Sequence, residues 1–309
     1  MAKEKIYDIT FKRMFKLSSK MLIKFVNQIF DKSFPLDEKA VFLNVNTENE
    51  DNVSLEKDLY FEICGEKFQI EAQAYWDDMM FRLFEYAVNS TDDNYERKDS
   101  THAIFRMPKQ AVVFLKDTNK ENDKLYIKLI LPDEQEVEYS VKAIRALGYN
   151  PKELADNNLE ILLPFQILRM WNKVKDYNKY SESKKQSFLE KFSKMCKDIV
   201  DTMDFALDNN SITNDEYQQM LLIMLDLKNY LYGNISDITE KGADSMIQEK
   251  IVLSYDKAKM EGKDEQAKNM AREMLIADEP ANKIERYTGL TLDAIIPIAK
   301  SLGKTISML

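Results

Sequence analysis

Residues suited to metal and phosphoryl chemistry gather in one short window. Residues 53–76 read VSLEKDLYFEICGEKFQIEAQAYW, with Asp58, Glu71 and Gln73 inside it. Carboxylates are hard oxygen ligands of the kind Mg²⁺ takes, with water, a backbone carbonyl and substrate phosphate completing about six oxygens. Such a cation lowers the pKa of a bound water and offsets charge developing on a phosphorus centre. Spacing brings the three side chains together if the segment is a hairpin. With Gly65 and Glu66 as central residues of a type II′ turn, Cys64 faces Lys67 and Asp58 faces Gln73. Asp58 then lies diagonal to Glu71, roughly 7–8 Å away between backbones. Leu59, Phe61 and Ile63 share one face with Phe68, Ile70 and Ala72, and Asp58, Tyr60 and Glu62 share the other with Gln69, Glu71 and Gln73. One greasy and one polar face is the pattern of a half-buried antiparallel pair. The polar face reads either as a solvated sheet surface or as a metal-binding one.

Other chemistry finds little material. The 309 residues include 7 Gly, 7 Pro, 2 Cys and 1 His, too few Cys and His for the usual zinc sites or a disulfide framework. A reduced, cytoplasmic setting is expected. His102 stands near no pattern of acid and nucleophile, which triad chemistry needs. Neither a G-x-x-x-x-G-K-[ST] nor a G-x-G-x-x-G phosphate loop occurs. The N-terminal MAKEKIYDITFKRMF lacks an apolar core behind its charges, and no window approaches 18 apolar residues. Neither export nor membrane insertion is expected. A net charge of −9, from 44 Lys+Arg against 53 Asp+Glu, argues against a chain that coats nucleic acid indiscriminately. Residues 1–30 reverse that sign, with seven Lys/Arg against Glu4 and Asp8. Lys12, Lys16, Lys20 and Lys24 recur every fourth residue, as a solvated helix face or a phosphate-contacting track would.

The elements that must position these residues follow from periodicity. Phe11, Phe15, Leu22, Val26 and Ile29 mark helix, with Ser18 or Ser19 able to cap a second one. After the hairpin, DDMMFRLFEYAVN places Arg82 and Tyr86 one helical turn apart, and PKQAVVFLKD reads as a buried strand. Residues 125–131 and 136–144 suggest two more strands joined at Pro132-Asp133. Strand signals stop from Asn158. Phe188, Phe192, Met195, Ile199 and Met203 form a helical stripe, and Thr213 with Glu216 is a capping box for a helix ending near Gly233. Residues 240–275 are charged, and ANKIERYTGLTLDAIIPIAKSL gives two short helices around Gly289. The expected domains are 1–160, 161–239 (helical) and 240–309 (a charged helix and a helix-turn-helix-like tail).

Taken in order, Asp8-x-x-Phe11-Lys12-x-x-Phe15, Asp58, Ile70-Glu71-Ala72-Gln73, Arg82-x-x-x-Tyr86 and the strand after Pro108 resemble the PD-(D/E)XK nuclease-like transposase group, the recombination-promoting nuclease family. Residues 162–168, LLPFQIL, and residues 288–296, TGLTLDAII, look similar to that group's tail regions. The resemblance implies an α/β fold with a restriction-endonuclease-like αβββαβ core followed by an all-helical C-terminal half. It implies DNA phosphodiester hydrolysis with Mg²⁺, or Mn²⁺, held by Asp58 and Glu71, the Ala72 carbonyl completing the site. Gln73 stands where the wider superfamily has Lys, and Lys57 where it has Pro. A Lys would put a point charge beside the scissile phosphate, whereas Gln can only orient water or donate a neutral hydrogen bond; Lys67 or Lys12 could supply that charge. Lys12, Arg13, Lys16 and Arg82 are the expected DNA contacts, with Arg82 and Tyr86 either steering phosphate or bracing the hairpin. The tail offers Thr291 and Asp293 at a helix start interrupted by Pro297, which favours homo-oligomer formation or intrachain packing over groove reading. The alternative from another class is a non-catalytic DNA-binding or self-associating protein on a degenerate nuclease fold.

Overall fold

The computed structural model describes residues 5–43, 59–73, 79–88, 95–116, 123–235, 237–238, 243–277 and 279–304. Asp58 and Lys57 lie outside them. Two helices open the chain, α1 (Lys5–Phe15) and α2 (Ser19–Phe30). They separate at Ser18, whose Oγ accepts from the Met21 amide at 3.3 Å and so satisfies a donor that the helix start leaves open. Phe11, Phe15, Leu22, Phe25 and Val26 turn inward and are fully buried.

The strands are β1 (Val41–Phe42), β2 (Leu59–Ile63) and β3 (Glu66–Gln73); after α3 (Met79–Val88) come β4 (Tyr95–Arg97), β5 (Ala103–Phe105), β6 (Lys109–Phe114), β7 (Lys124–Ile130) and β8 (Glu136–Arg145). Six of them form a mixed sheet in the order β1-β2-β3-β6-β8-β7, while β4 and β5 pair by themselves. β2 and β3 are antiparallel, β3, β6 and β8 run parallel, and β7 is antiparallel to β8.

The hairpin register departs from the expected one. Ile63 opposes Glu66 and Leu59 opposes Ile70, so the central turn residues are Cys64 and Gly65, not Gly65 and Glu66. Both are left-handed, with φ of 49° and 78°, the requirement of a type I′ turn, whose twist matches the flanking strands. Packing favours this slip of two residues. Phe61 falls directly opposite Phe68, with stacked rings 5.6 Å between centroids, and Phe30 and Phe34 close on Phe68 at 5.3 and 6.0 Å. An even slip preserves which side chains share a face.

Of the two readings of the polar face, a solvated surface is not what its residues Tyr60, Gln69 and Glu71 show, all three being buried. Met79 and Leu83 of α3 pack on Val112, Phe114, Leu125, Val141 and Ala143, and in the parallel register Val112 and Phe114 lie beside Glu71 and Gln73. Gln69, Glu71 and Gln110 are therefore interior residues, 0 %, 4 % and 4 % exposed.

Beyond the sheet the described chain is helical: α4 (Pro151–Asp156), a 3₁₀ stretch Glu160–Met170, α5 (Trp171–Val174), α6 (Glu182–Asp208) and α7 (Asn214–Tyr232). Thr213 and Glu216 form the reciprocal capping box of α7. Arg13 donates to Asp226 at 3.0 Å, and Lys24 reaches Glu160 at 3.1 Å and Ser211 Oγ at 2.6 Å. The Arg13–Asp226 and Lys24–Ser211 bonds join residues on either side of the boundary expected after residue 160, and residues 1–248 make one compact unit. Residues 249–309 make a second, from the later part of α8 (Ala243–Ile276) with α9 (Ala281–Thr288) and α10 (Leu292–Ser301). Ala271, Leu275, Ile284, Ile295, Ile298 and Ala299 form its core, and Gly289, at φ 72°, ends α9 as a left-handed cap.

Candidate functional site

Strand β3 carries Glu71 and Gln73 on the face beneath α3, near the carboxyl ends of the parallel strands. In open α/β sheets, ligands bind outside those ends. The Leu115 amide donates to the Gln73 carbonyl at 2.8 Å, which holds the chain leaving β6 against the end of β3.

Glu71 is fixed by side chains that the sequence did not single out. Gln69 Nε2 donates to Glu71 Oε1 at 3.0 Å, Gln110 Nε2 donates to Gln69 Oε1 at 3.0 Å, and Gln110 Nε2 also reaches the Leu83 carbonyl at 2.7 Å. The result is a buried ladder running from α3 through β6 to the Glu71 carboxylate. A buried polar group without such partners costs about 1–3 kcal/mol. The available signal was a Gln inside the apolar run QAVVFL, which a buried strand tolerates only with a partner; Gln69 stands directly beside Gln110 across β3 and β6.

Chemically, the ladder orients one carboxylate in a low-dielectric setting, the role that supporting hydrogen bonds play around a metal ligand. Asp58, the second expected ligand, lies outside the described residues. Among the described residues no group of three or more His, Cys, Asp or Glu is placed to hold a metal ion.

The expected DNA contacts have intrachain partners. Lys12 Nζ lies 3.1 Å from Asp8, Arg13 bonds Asp226 and Gln219 at 3.0 and 2.8 Å, and Lys16 Nζ sits 5.5 Å from the Phe42 ring centroid. Lys20 donates to the Asn210 carbonyl at 3.1 Å. The recurrent lysines of the first two helices thus do not form one outward track. Arg82 donates to Met79 Sδ and is half-buried, and Tyr86 is a buried residue of α3. Lys67 is half-buried on β3.

Two further clusters were not foreseen. Asp99 accepts from the Thr101 and His102 amides at 2.7 and 2.9 Å, and His102 Nδ1 lies 3.1 Å from the same oxygen. Those bonds, led by the Thr101 amide, draw the Asp99 carboxyl down to about 2. All three residues are exposed, and the cluster closes the turn between β4 and β5. A cleft of about 260 Å³ lies at the amino ends of β3 and β6, lined in part by Glu66, Lys67, Tyr95, Arg106 and Lys109. Its acids are compensated: Lys109 and Lys32 bond Glu66 and hold its pKa below the usual carboxylate value, and Arg106 bonds Glu96 at 2.5 Å. It occupies the end of the strands opposite Glu71 and Gln73.

No described helix is long and apolar enough to cross a membrane. Comparison of the chain with protein-family models, with curated proteins and with solved structures returns no match.

Proposed function

We propose that the protein is a metal-dependent DNA endonuclease in which Asp58 and Glu71 hold Mg²⁺ or Mn²⁺ and Gln73 orients the attacking water. The observation that carries this reading is the Glu71 carboxylate, buried on a glutamine ladder beside Gln73 at the carboxyl ends of parallel strands. Setting aside the separate β4–β5 pair that lies between α3 and β6, the order of α1 and α2, β1 to β3, α3 and β6 is compatible with the α-β-β-β-α-β order that the sequence resemblance implies. The donor set fits a hard cation, since a carboxylate is an oxygen ligand of the kind Mg²⁺ takes. Because Leu59 opposes Ile70, the reading requires position 58 to continue β2 by one residue, directly opposite Glu71 instead of diagonal to it.

When bound, the cation would lower the pKa of water and neutralise developing phosphoryl charge. The chain's own part is positional. Gln69 and Gln110 hold Glu71 in orientation, α3 excludes solvent from the ladder, and Gln73 offers an amide to water. The test is nicking of supercoiled plasmid with Mg²⁺ or Mn²⁺. Asp58→Ala and Glu71→Gln should each lower the rate at least about a hundredfold. Cleavage indifferent to both sinks the assigned site.

A second reading, a non-catalytic DNA-binding or self-associating protein, draws on Gln73 in the place of a Lys and on Arg13, Lys20 and Lys24 being engaged within the chain. It predicts no metal-dependent nicking by the wild type.

A further inference from the structure

The outer face of α10 is complementary to itself. Ile295, Ile298 and Ala299 of this helix enter the core of residues 249–309. Asp293, Ile296, Pro297 and Lys300 recur on the opposite side, and all four are exposed. Ile296, 45 % exposed, thus stands at the middle of a face with an acid in the first turn and a base in the last. In the same unit Lys283 pairs with Glu279 at 2.7 Å and Lys304 donates to the Ile276 carbonyl at 3.2 Å. Asp293 and Lys300 meet no ion-pair partner among the described residues. They lie two helical turns apart, about 10.5 Å along the axis, and their midpoint falls between Ile296 and Pro297. A twofold axis through that midpoint brings Asp293 of each copy to Lys300 of the other, and Ile296 of each onto Pro297 of the other. Pro297 has no N–H for the Asp293 carbonyl. Position 293 therefore offers one ammonium both a carboxylate and a carbonyl that lacks its regular helical donor. Charges at helix ends also complement the macrodipole, but that role places no demand on which side of the helix they occupy.

We propose that this face of α10 is a docking surface for a second copy of the same chain, the two helices packing antiparallel about a twofold axis. The pairing uses neither Glu71 nor Gln73 and does not depend on the endonuclease reading. Its two ion pairs fix the register of the helices, and the apolar centre supplies the contact that water is expelled from. One helix of 10 residues buries less than a standard interface, so association belongs in the micromolar range.

The experiment is sedimentation equilibrium of the full chain at low salt, over roughly 1–200 µM to bracket a micromolar constant. The wild type should approach twice the chain mass. Asp293→Lys and Lys300→Asp each make both charge contacts repulsive and should weaken dimerisation at least about tenfold. Mixed in equal amounts, the two variants offer each other opposite charge at both positions and should associate about as tightly as the wild type does. A role confined to the helix dipole predicts no such recovery, and neither does a variant that fails to fold. If either charge reversal does not fold, Ile296→Gln decides, since it puts a good helix former at an exposed position and should also weaken dimerisation about tenfold. A wild type that stays monomeric throughout, a dimer that these substitutions leave intact, or folded charge variants that do not recover on mixing overturns the proposal.

Discussion

Gln110 donates to Gln69 and to the Leu83 carbonyl in a region that water does not reach. Replacing it with Leu leaves both acceptors without that donor, and an unmet buried acceptor costs about 1–3 kcal/mol. Gln110→Leu should therefore lower the stability of residues 1–248 by about 2 kcal/mol, read as a shift of the urea midpoint with the slope unchanged. If the ladder also orients Glu71, nicking should fall together with stability, whereas Gln110→Glu should fail on stability alone by adding a second buried carboxylate. Of this constellation, Glu71 and Gln73 were readable because alternation marks a shared face from sequence alone. Gln69 and Gln110 were not assigned as partners, because their adjacency depends on the parallel pairing of β3 with β6, a contact between strands 41 residues apart in sequence numbering.

The hairpin shows why an element can be read correctly and placed wrongly. Its strands, faces and apolar contacts follow from alternation, but the turn was assigned by asking where Gly could take positive φ, and Cys64 takes it as well. The ring stack of Phe61 on Phe68, a tertiary gain, outweighs the preference of a side chain for negative φ. Relief of that strain is measurable. Cys64→Asn supplies the residue favoured ahead of Gly in a type I′ turn and should raise the urea midpoint, while Gly65→Val should destabilise by about 1–2 kcal/mol. Equal midpoints for the two variants would contradict the assigned turn. A different element carries a pH signature. Tyr177 donates to Asp237 at 2.7 Å, and burial, reinforced by that carboxylate, pushes its hydroxyl up to about 12. A raised folded-state pKa stabilises below the unfolded value near 10 and loses that contribution as pH climbs toward about 12. Tyr177→Phe should thus cost about 1.5 kcal/mol at neutral pH, and its deficit against the wild type should narrow above pH 10. A deficit independent of pH across that window would refute the assignment. The short β1 and the β4–β5 pair escaped the sequence reading because two or three residues are too few to show a period.

At the scale of the whole molecule, two cores are built from separate stretches of chain. The larger joins the first two helices to later parts of the chain through contacts that a linear reading cannot supply, such as Arg13 donating to Asp226 at 3.0 Å and Lys24 to Ser211 Oγ at 2.6 Å, so residues on both sides of position 160 share one unit. The smaller core uses only neighbours in sequence, Ala271 to Ala299, and for that reason the two short helices around Gly289 could be read directly. A unit of about 60 residues buries little surface and holds only about 3–5 kcal/mol. Removing three carbons from a fully buried Ile costs about 2–5 kcal/mol, enough to exhaust that reserve. Ile295→Ala in the full chain should abolish amide hydrogen-exchange protection in peptides spanning residues 271–302 while peptides of β3, β6 and β8 exchange as in the wild type. Simultaneous loss of protection in both units would mean that they fold as one cooperative body. Protection retained in both would mean that Ile295 is not the centre of the smaller core.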